Sequence, residues 1–189
     1  MSIAKIEEAL RIGDTLQVAL LLHHFSDDPY RLGRLLQFAC YGGFKNTEIF
    51  LDAGADVNFM CEEKWNVTPL MYACLKGHRD VAQTLLDRGA DMGMVDDSKE
   101  SALHCASGNG HLDTVKLLVE KGAEINLQDN TYYTPLHCAC AHGHTEVAKF
   151  LLSKGADTML LTEYGETALF LATRGRYEDI VELFKQHAG

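Results

Sequence analysis

Positive charge is scarce in this chain of 189 residues. Lys and Arg number 17 against 27 Asp and Glu, a net charge of −10. Phosphate surfaces are gripped by clustered cations, so this balance argues against nucleic acid and anionic membrane as partners. Long apolar runs are missing too. The longest aliphatic stretch, Val18 to Leu22, is five residues, far below the roughly 20 that a membrane-spanning helix requires. The first residues include Glu7, Glu8 and Asp14 with no small-residue cleavage site. No secretory leader is therefore expected, and the cytosol or nucleus is the expected compartment. The six cysteines are accordingly expected as reduced thiols rather than a disulfide framework. What is present is globular in composition, 47% apolar and 23% charged. One domain is expected, long enough to bury roughly 70% of its unfolded surface.

Self-similarity organises the chain. Thr68-Pro69-Leu70-Met71, Ser101-Ala102-Leu103-His104, Thr134-Pro135-Leu136-His137 and Thr167-Ala168-Leu169-Phe170 begin 33 residues apart. Ala73, Ala106, Ala139 and Ala172 keep the interval, as do Gly77-His78, Gly110-His111 and Gly143-His144. So do Gly89-Ala90, Gly122-Ala123 and Gly155-Ala156. Each unit predicts a helix, a tight turn, a second helix and an extended finger. Thr134 suits an N-cap and Pro135 the first helical position, where its missing N–H costs nothing. Leu136 and Ala139 share a face, Gly143 breaks the helix, and Val147, Phe150 and Leu151 form the next apolar stripe. One unit cannot bury that stripe alone, so neighbours must stack.

These residues resemble the ankyrin repeat, with its Thr-Pro-Leu-His start, its Gly-His turn and its Leu-Leu-x2-Gly-Ala-Asp end. The likeness implies an all-α solenoid of stacked helix-turn-helix repeats with projecting β-hairpin-like fingers. It predicts one domain, residues 1–189: a degenerate first unit (1–33), a divergent repeat (34–67), clear repeats (68–100, 101–133, 134–166) and a final cap repeat (167–189). The divergent repeat has Arg34-Leu35-Leu36-Gln37 in place of the usual start, a second helix near Thr47 to Leu51 that is a residue short, and an enlarged finger holding Trp65. In the first unit, Ala9, Gly13, Leu16, Leu20 and Leu21 carry the pattern. In the last, Arg176 and Lys185 take glycine and apolar places, as a soluble end requires. The finger-turn glycine survives only as Gly165; Asn66, Lys99 and Tyr132 replace it. Altered turns are expected at Lys99 and Tyr132, because lysine and tyrosine resist positive φ.

Nine histidines and six cysteines raise the question of a metal. Cys138 and His142 stand at i, i+4, a spacing able to chelate zinc on a helix. Yet His137 repeats His104, Cys138 repeats Cys105, Cys140 repeats Cys74, and His144 repeats His111 and His78. Within residues 137–144, only His142 falls outside the period. A Cys105–His137 nucleophile pair is imaginable, but both positions belong to the repeat. No phosphate loop, dinucleotide fingerprint or Gly-x-Ser-x-Gly occurs. No enzyme activity, metal or cofactor is expected.

The resemblance implies a partner-binding concave face made of finger tips and exposed first-helix positions. The finger places are Lys64, Trp65 and Val67; Asp97, Ser98 and Glu100; Asn130, Thr131 and Tyr133; and Glu163, Tyr164 and Glu166. The first-helix places are Tyr41, Leu75, Lys76, Asn109, His142 and Arg174. Trp65, Tyr133 and Tyr164 are the expected anchors, since aromatics offer rigid area with a polar tip. The expected function is a non-enzymatic module for a protein or peptide that is neutral to basic at the contact, the free chain being a monomer. Alternatives are a targeting or autoinhibitory domain of a larger multidomain enzyme, and a His/Cys metal-binding or catalytic protein. Likeness to hydroxylated ankyrin proteins also marks Asn126, with Leu118, Glu124 and Ile125 ahead of it, as a candidate hydroxylation site. Asn58 is the weaker candidate, having Phe50 where leucine is expected.

Overall fold

A computed structural model describes residues 3–22, 24, 27–61 and 65–187. The described residues form twelve α-helices and no strand. They arrange as pairs: α1 (Ile3–Ile12) with α2 (Thr15–Leu22), α3 (Pro29–Gly42) with α4 (Thr47–Asp52), and α5 (Pro69–Leu75) with α6 (Arg79–Asp87). Then come α7 (Ala102–Gly108) with α8 (Leu112–Glu120), α9 (Pro135–Ala141) with α10 (Thr145–Ser153), and α11 (Ala168–Arg174) with α12 (Glu178–His187). The chain packs as two compact units, residues 1–91 and 92–189.

Local chemistry sets where helices start. The side chains of Thr68, Ser101, Thr134 and Thr167 accept the backbone N–H three residues on, satisfying a donor the helix cannot. Pro69 and Pro135 open α5 and α9. Between paired helices the backbone turns through positive φ at Gly77, Gly110 and Gly143, and at Arg176 in the last pair. Gly110 is required on a second count: a Cβ there would lie 2.5 Å from the His144 ring.

In the N-terminal unit, α3 packs on α4 and α5, while α4 also meets α2 and α6. Its core includes Ile6, Leu36, Ala39, Phe50, Ala73 and Leu85, none more than 1% exposed. In the C-terminal unit, α9 lies between α7 and α11, and α10 between α8 and α12. Ala106, Ala139 and Ala172 are fully buried at these contacts. The small side chain lets successive helices approach closely. As expected α4 is short, though by three residues rather than one, six against nine in α6.

Two expectations are corrected. Leu16 and Leu20 do not carry the buried stripe of α2; they are 72% and 63% exposed, whereas Val18 and Leu22 are buried. Apolar residues surround most of this helix, so periodicity cannot choose its inner face. The turns at Lys99 and Tyr132 are likewise not altered. Both residues adopt the left-handed backbone, φ 60° and 62°, close to the 73° of Gly165. Asp96 enforces this in one finger by accepting the N–H groups of Ser98 and Glu100. Asp129 accepts those of Thr131 and Tyr133 in the next. The turns close identically: Asp96 N–H donates to the Glu100 carbonyl, Asp129 to Tyr133, and Thr162 to Glu166.

Candidate functional site

In the N-terminal unit the exposed side of α3 and the neighbouring part of α5 line an open cleft of about 950 Å3. Tyr30, Arg31, Arg34, Gln37, Phe38 and Tyr41 come from α3, and Tyr72 from α5. Glu7 and Asp28 complete its acidic side. Tyr41 and Lys76, both expected surface residues, are brought together: the Lys76 ammonium lies 4.3 Å from the Tyr41 ring centroid. Tyr72 stands edge-on to the same ring at 5.8 Å. The Arg34 guanidinium donates to Cys61 Sγ at 3.5 Å, and the Tyr30 hydroxyl bonds the same sulfur at 3.5 Å. The Tyr30 hydroxyl bond raises the Arg34 pKa above its ordinary value. Leu75 is half-buried, and Val67 gives its carbonyl to Gln37 at 2.7 Å. Lys64 lies outside the described residues.

Trp65 is 71% exposed at its finger tip. Its counterpart in the C-terminal unit is Tyr164, 74% exposed, whose hydroxyl bonds the Glu163 carboxylate and is held above the usual phenol pKa. Tyr133 is placed otherwise. It is half-buried at the finger base with its ring 5.8 Å from that of His137. Its carbonyl accepts from His104 Nε2 at 3.1 Å. The exposed aromatic of that finger is Tyr132, at 55%. Positive φ swings this side chain outward, which residue identity alone does not announce.

Neighbouring fingers of the C-terminal unit bind each other. Asn130 N–H donates to the Ser98 carbonyl, and its side-chain amide to Asp97, both at 2.9 Å. Glu163 N–H donates to the Thr131 carbonyl at 3.0 Å. These are Asp97, Ser98, Asn130, Thr131 and Glu163 of the expected surface, ordered by backbone bonds. Glu100 is half-buried; desolvation, with Asp96 and Asp129 nearby, raises its pKa. Glu166 is paired with Arg174, whose guanidinium also covers the Phe170 ring. Asn109 caps α7 by donating to the Cys105 carbonyl at 2.8 Å. Asn126 is half-buried, its amide oxygen holding Asp157 N–H at 2.9 Å. Asn58 does the same for Asp91.

The histidines and cysteines serve the scaffold. His142 Nδ1–H donates to the Cys138 backbone carbonyl at 2.9 Å rather than sharing an ion with its thiol. Burial pushes the Cys105 and Cys140 thiols up to about 12, and Cys40 and Cys138 upward too. Such thiols are not nucleophiles at neutral pH. His104 and His137 are held neutral by burial, each accepting its N-cap's backbone N–H at Nδ1. Among the described residues, none offers His137 Nε2 a hydrogen bond of good geometry. No group of three or more His, Cys, Asp or Glu is placed to hold a metal among the described residues.

Comparison with known proteins agrees with this architecture. A family model described as ankyrin repeats (3 copies) matches residues 8–96, 35–129, 84–162 and 103–189. Inversin of Gallus gallus is 39% identical over 69 residues, 36% of this chain and 6% of that protein. The ankyrin repeat and KH domain-containing protein mask-1 of Caenorhabditis elegans is 34% identical over 109 residues, 55% of this chain and 4% of that protein. The chain thus spans a small fraction of these curated relatives. Ankyrin repeats generally mediate protein–protein interaction and are typically non-catalytic. With stacked helix pairs, paired fingers and a matching model over most of its length, this chain belongs to the ankyrin-repeat family.

Proposed function

We propose that the chain is a non-catalytic binding module that docks a protein or peptide on its exposed first-helix and finger surfaces. One observation carries this: Trp65 and Tyr164, at equivalent finger tips, are 71% and 74% exposed, while the repeating positions behind them are buried. A preorganised surface with rigid aromatics binds at low ordering cost. Carboxylates on the C-terminal fingers support a partner that is neutral to basic there. Six cysteines read as reduced thiols are in keeping with a reducing compartment, cytosolic or nuclear.

Capture from lysate with mass spectrometry, run beside tip variants, tests the reading. Partners retained by the native chain and by Lys149→Ala should be lost with Trp65→Ala or Tyr164→Ala. Equal recovery by all four proteins sinks it. A second reading, a targeting or regulatory segment within a longer protein, is favoured by the 6% and 4% shares of the relatives' lengths. Sequencing the encoding message through the codon for Gly189 decides it.

A further inference from the structure

The joints inside the C-terminal unit are held by a few polar side chains. Asn126 accepts Asp157 N–H at 2.9 Å, and Gln128 donates to the Leu161 carbonyl at 3.2 Å. His104 donates to the Tyr133 carbonyl at 3.1 Å. At the corresponding places on the far side of α11 and its finger stand Met159, Leu161 and Phe170, 76%, 48% and 50% exposed. Leu169 adds to the patch at 37%, although its equivalents Leu103 and Leu136 are 1% and 0%. Amide, amide and imidazole have given way to thioether, isobutyl and phenyl. Backbone N–H and C=O groups laid against this face would lose water without finding a partner, which disfavours them there. Apolar surface fits it instead.

We infer that this face is a self-association surface whose occupant is a second copy of the chain, related by a two-fold axis. A two-fold contact sets the same patch against itself, so apolar side chains meet apolar side chains. The adjoining edge, α12 and the turn before it, carries both signs, Arg176 and Lys185 alongside Glu178, Asp179 and Glu182. A two-signed rim complements itself under such an axis, where a single-signed rim would repel. Beside Met159, a depression of about 280 Å3 between Leu169, Phe184 and His187 provides a hole for the flexible thioether of the other copy. The association departs from the monomer expected of the free chain, and it leaves the finger tips open.

Sedimentation velocity of the whole chain from low micromolar to submillimolar concentration tests this. The mass should double as concentration rises. Leu161→Gln with Phe170→His, the residue types the interior repeats carry, should raise the dimer dissociation constant about tenfold or more. Met159→Asp, on a side chain that is 76% exposed, should do the same with an unchanged melting temperature in dilute solution. A chain that stays monomeric throughout leaves the face to some other occupant and overturns the inference. A dimer that neither variant weakens overturns it equally.

Discussion

Lys99 and Tyr132 hold a backbone conformation that costs an L-residue about 1–2 kcal/mol. They hold it because aspartate at the turn's first position collects donors. Asp129 Oδ1 accepts from Thr131 N–H, Thr131 Oγ1–H and Tyr133 N–H at 2.7, 2.8 and 2.9 Å. Bonds to a charged acceptor contribute about 1.5–3 kcal/mol, enough to outweigh the strain. Asp129→Ala should therefore cost about 1.5–3 kcal/mol in urea unfolding. Tyr132→Gly in that background should recover part of it; a further loss would show that strain was not the opposing force. Ala139 makes a simpler case. It is fully buried where α9 meets α11, so Ala139→Leu overpacks the contact and should cost about 1–3 kcal/mol. An unchanged melting midpoint would mean the contact yields.

At the scale of helix and finger, two joints carry a donor that reaches from a first helix to the carbonyl before the next. His104 fills that role in the C-terminal unit, and Gln37, 4% exposed, fills it in the N-terminal unit. The imidazole brings a pH dependence that the amide lacks. Burial lowers the His104 pKa below its ordinary value near 6.5. Between the two values the unfolded chain binds the proton and the folded chain does not. Stability from this group is present above about 6.5 and is lost as pH falls through the folded pKa. His137 shifts in the same direction. His104→Gln keeps a donor for the Tyr133 carbonyl while removing one titration, so its melting temperature should fall less between neutral and mildly acidic pH. A slope equal to that of the native chain would assign the acid sensitivity elsewhere. Glu100 works oppositely: its raised pKa makes the folded chain bind more protons, so stability falls as pH rises through the window. Glu100→Gln should thus stabilise the chain at neutral pH, as equilibrium unfolding can register.

For the molecule as a binder, the finger tips separate from the finger bases. Alanine at Trp65 or Tyr164 should leave melting nearly unchanged, and at least one should weaken partner binding by about 2 kcal/mol or more. Tyr133→Ala should act differently, lowering the melting temperature, because its ring packs on His137. Charge reversal at exposed Glu163 should act on association rate and fade with salt. Reversal at Glu166 should also destabilise, since Arg174 would face a like charge. Lys116→Ala and Lys149→Ala should be silent in both assays. Calorimetric titration beside thermal melts distinguishes the classes. Binding lost in the lysine variants but kept in both tip variants would move the interface to the outer helices.

Much of the fold was legible because its determinants are local and periodic. Thr134-Pro135 specifies a helix start by its own hydrogen bonding, Gly143 a left-handed turn, and Ala139 a close helix contact. Each recurs at a spacing that only stacked units can satisfy. The exposed tips Trp65 and Tyr164 followed from the same register. Where neighbours compete, the sequence was silent. In α2 the apolar residues surround the helix, and packing against α1 and α4 chose Val18 and Leu22 over Leu16 and Leu20. At Lys99 and Tyr132 a carboxylate three residues earlier overrode the local preference, which also turned Tyr132 outward and Tyr133 inward. The cleft beneath Tyr30, Tyr41 and Tyr72 and the apolar face at Met159 and Phe170 likewise needed the tertiary structure. A pattern along one chain states what each residue prefers, whereas exposure depends on which atoms from distant segments arrive to cover it.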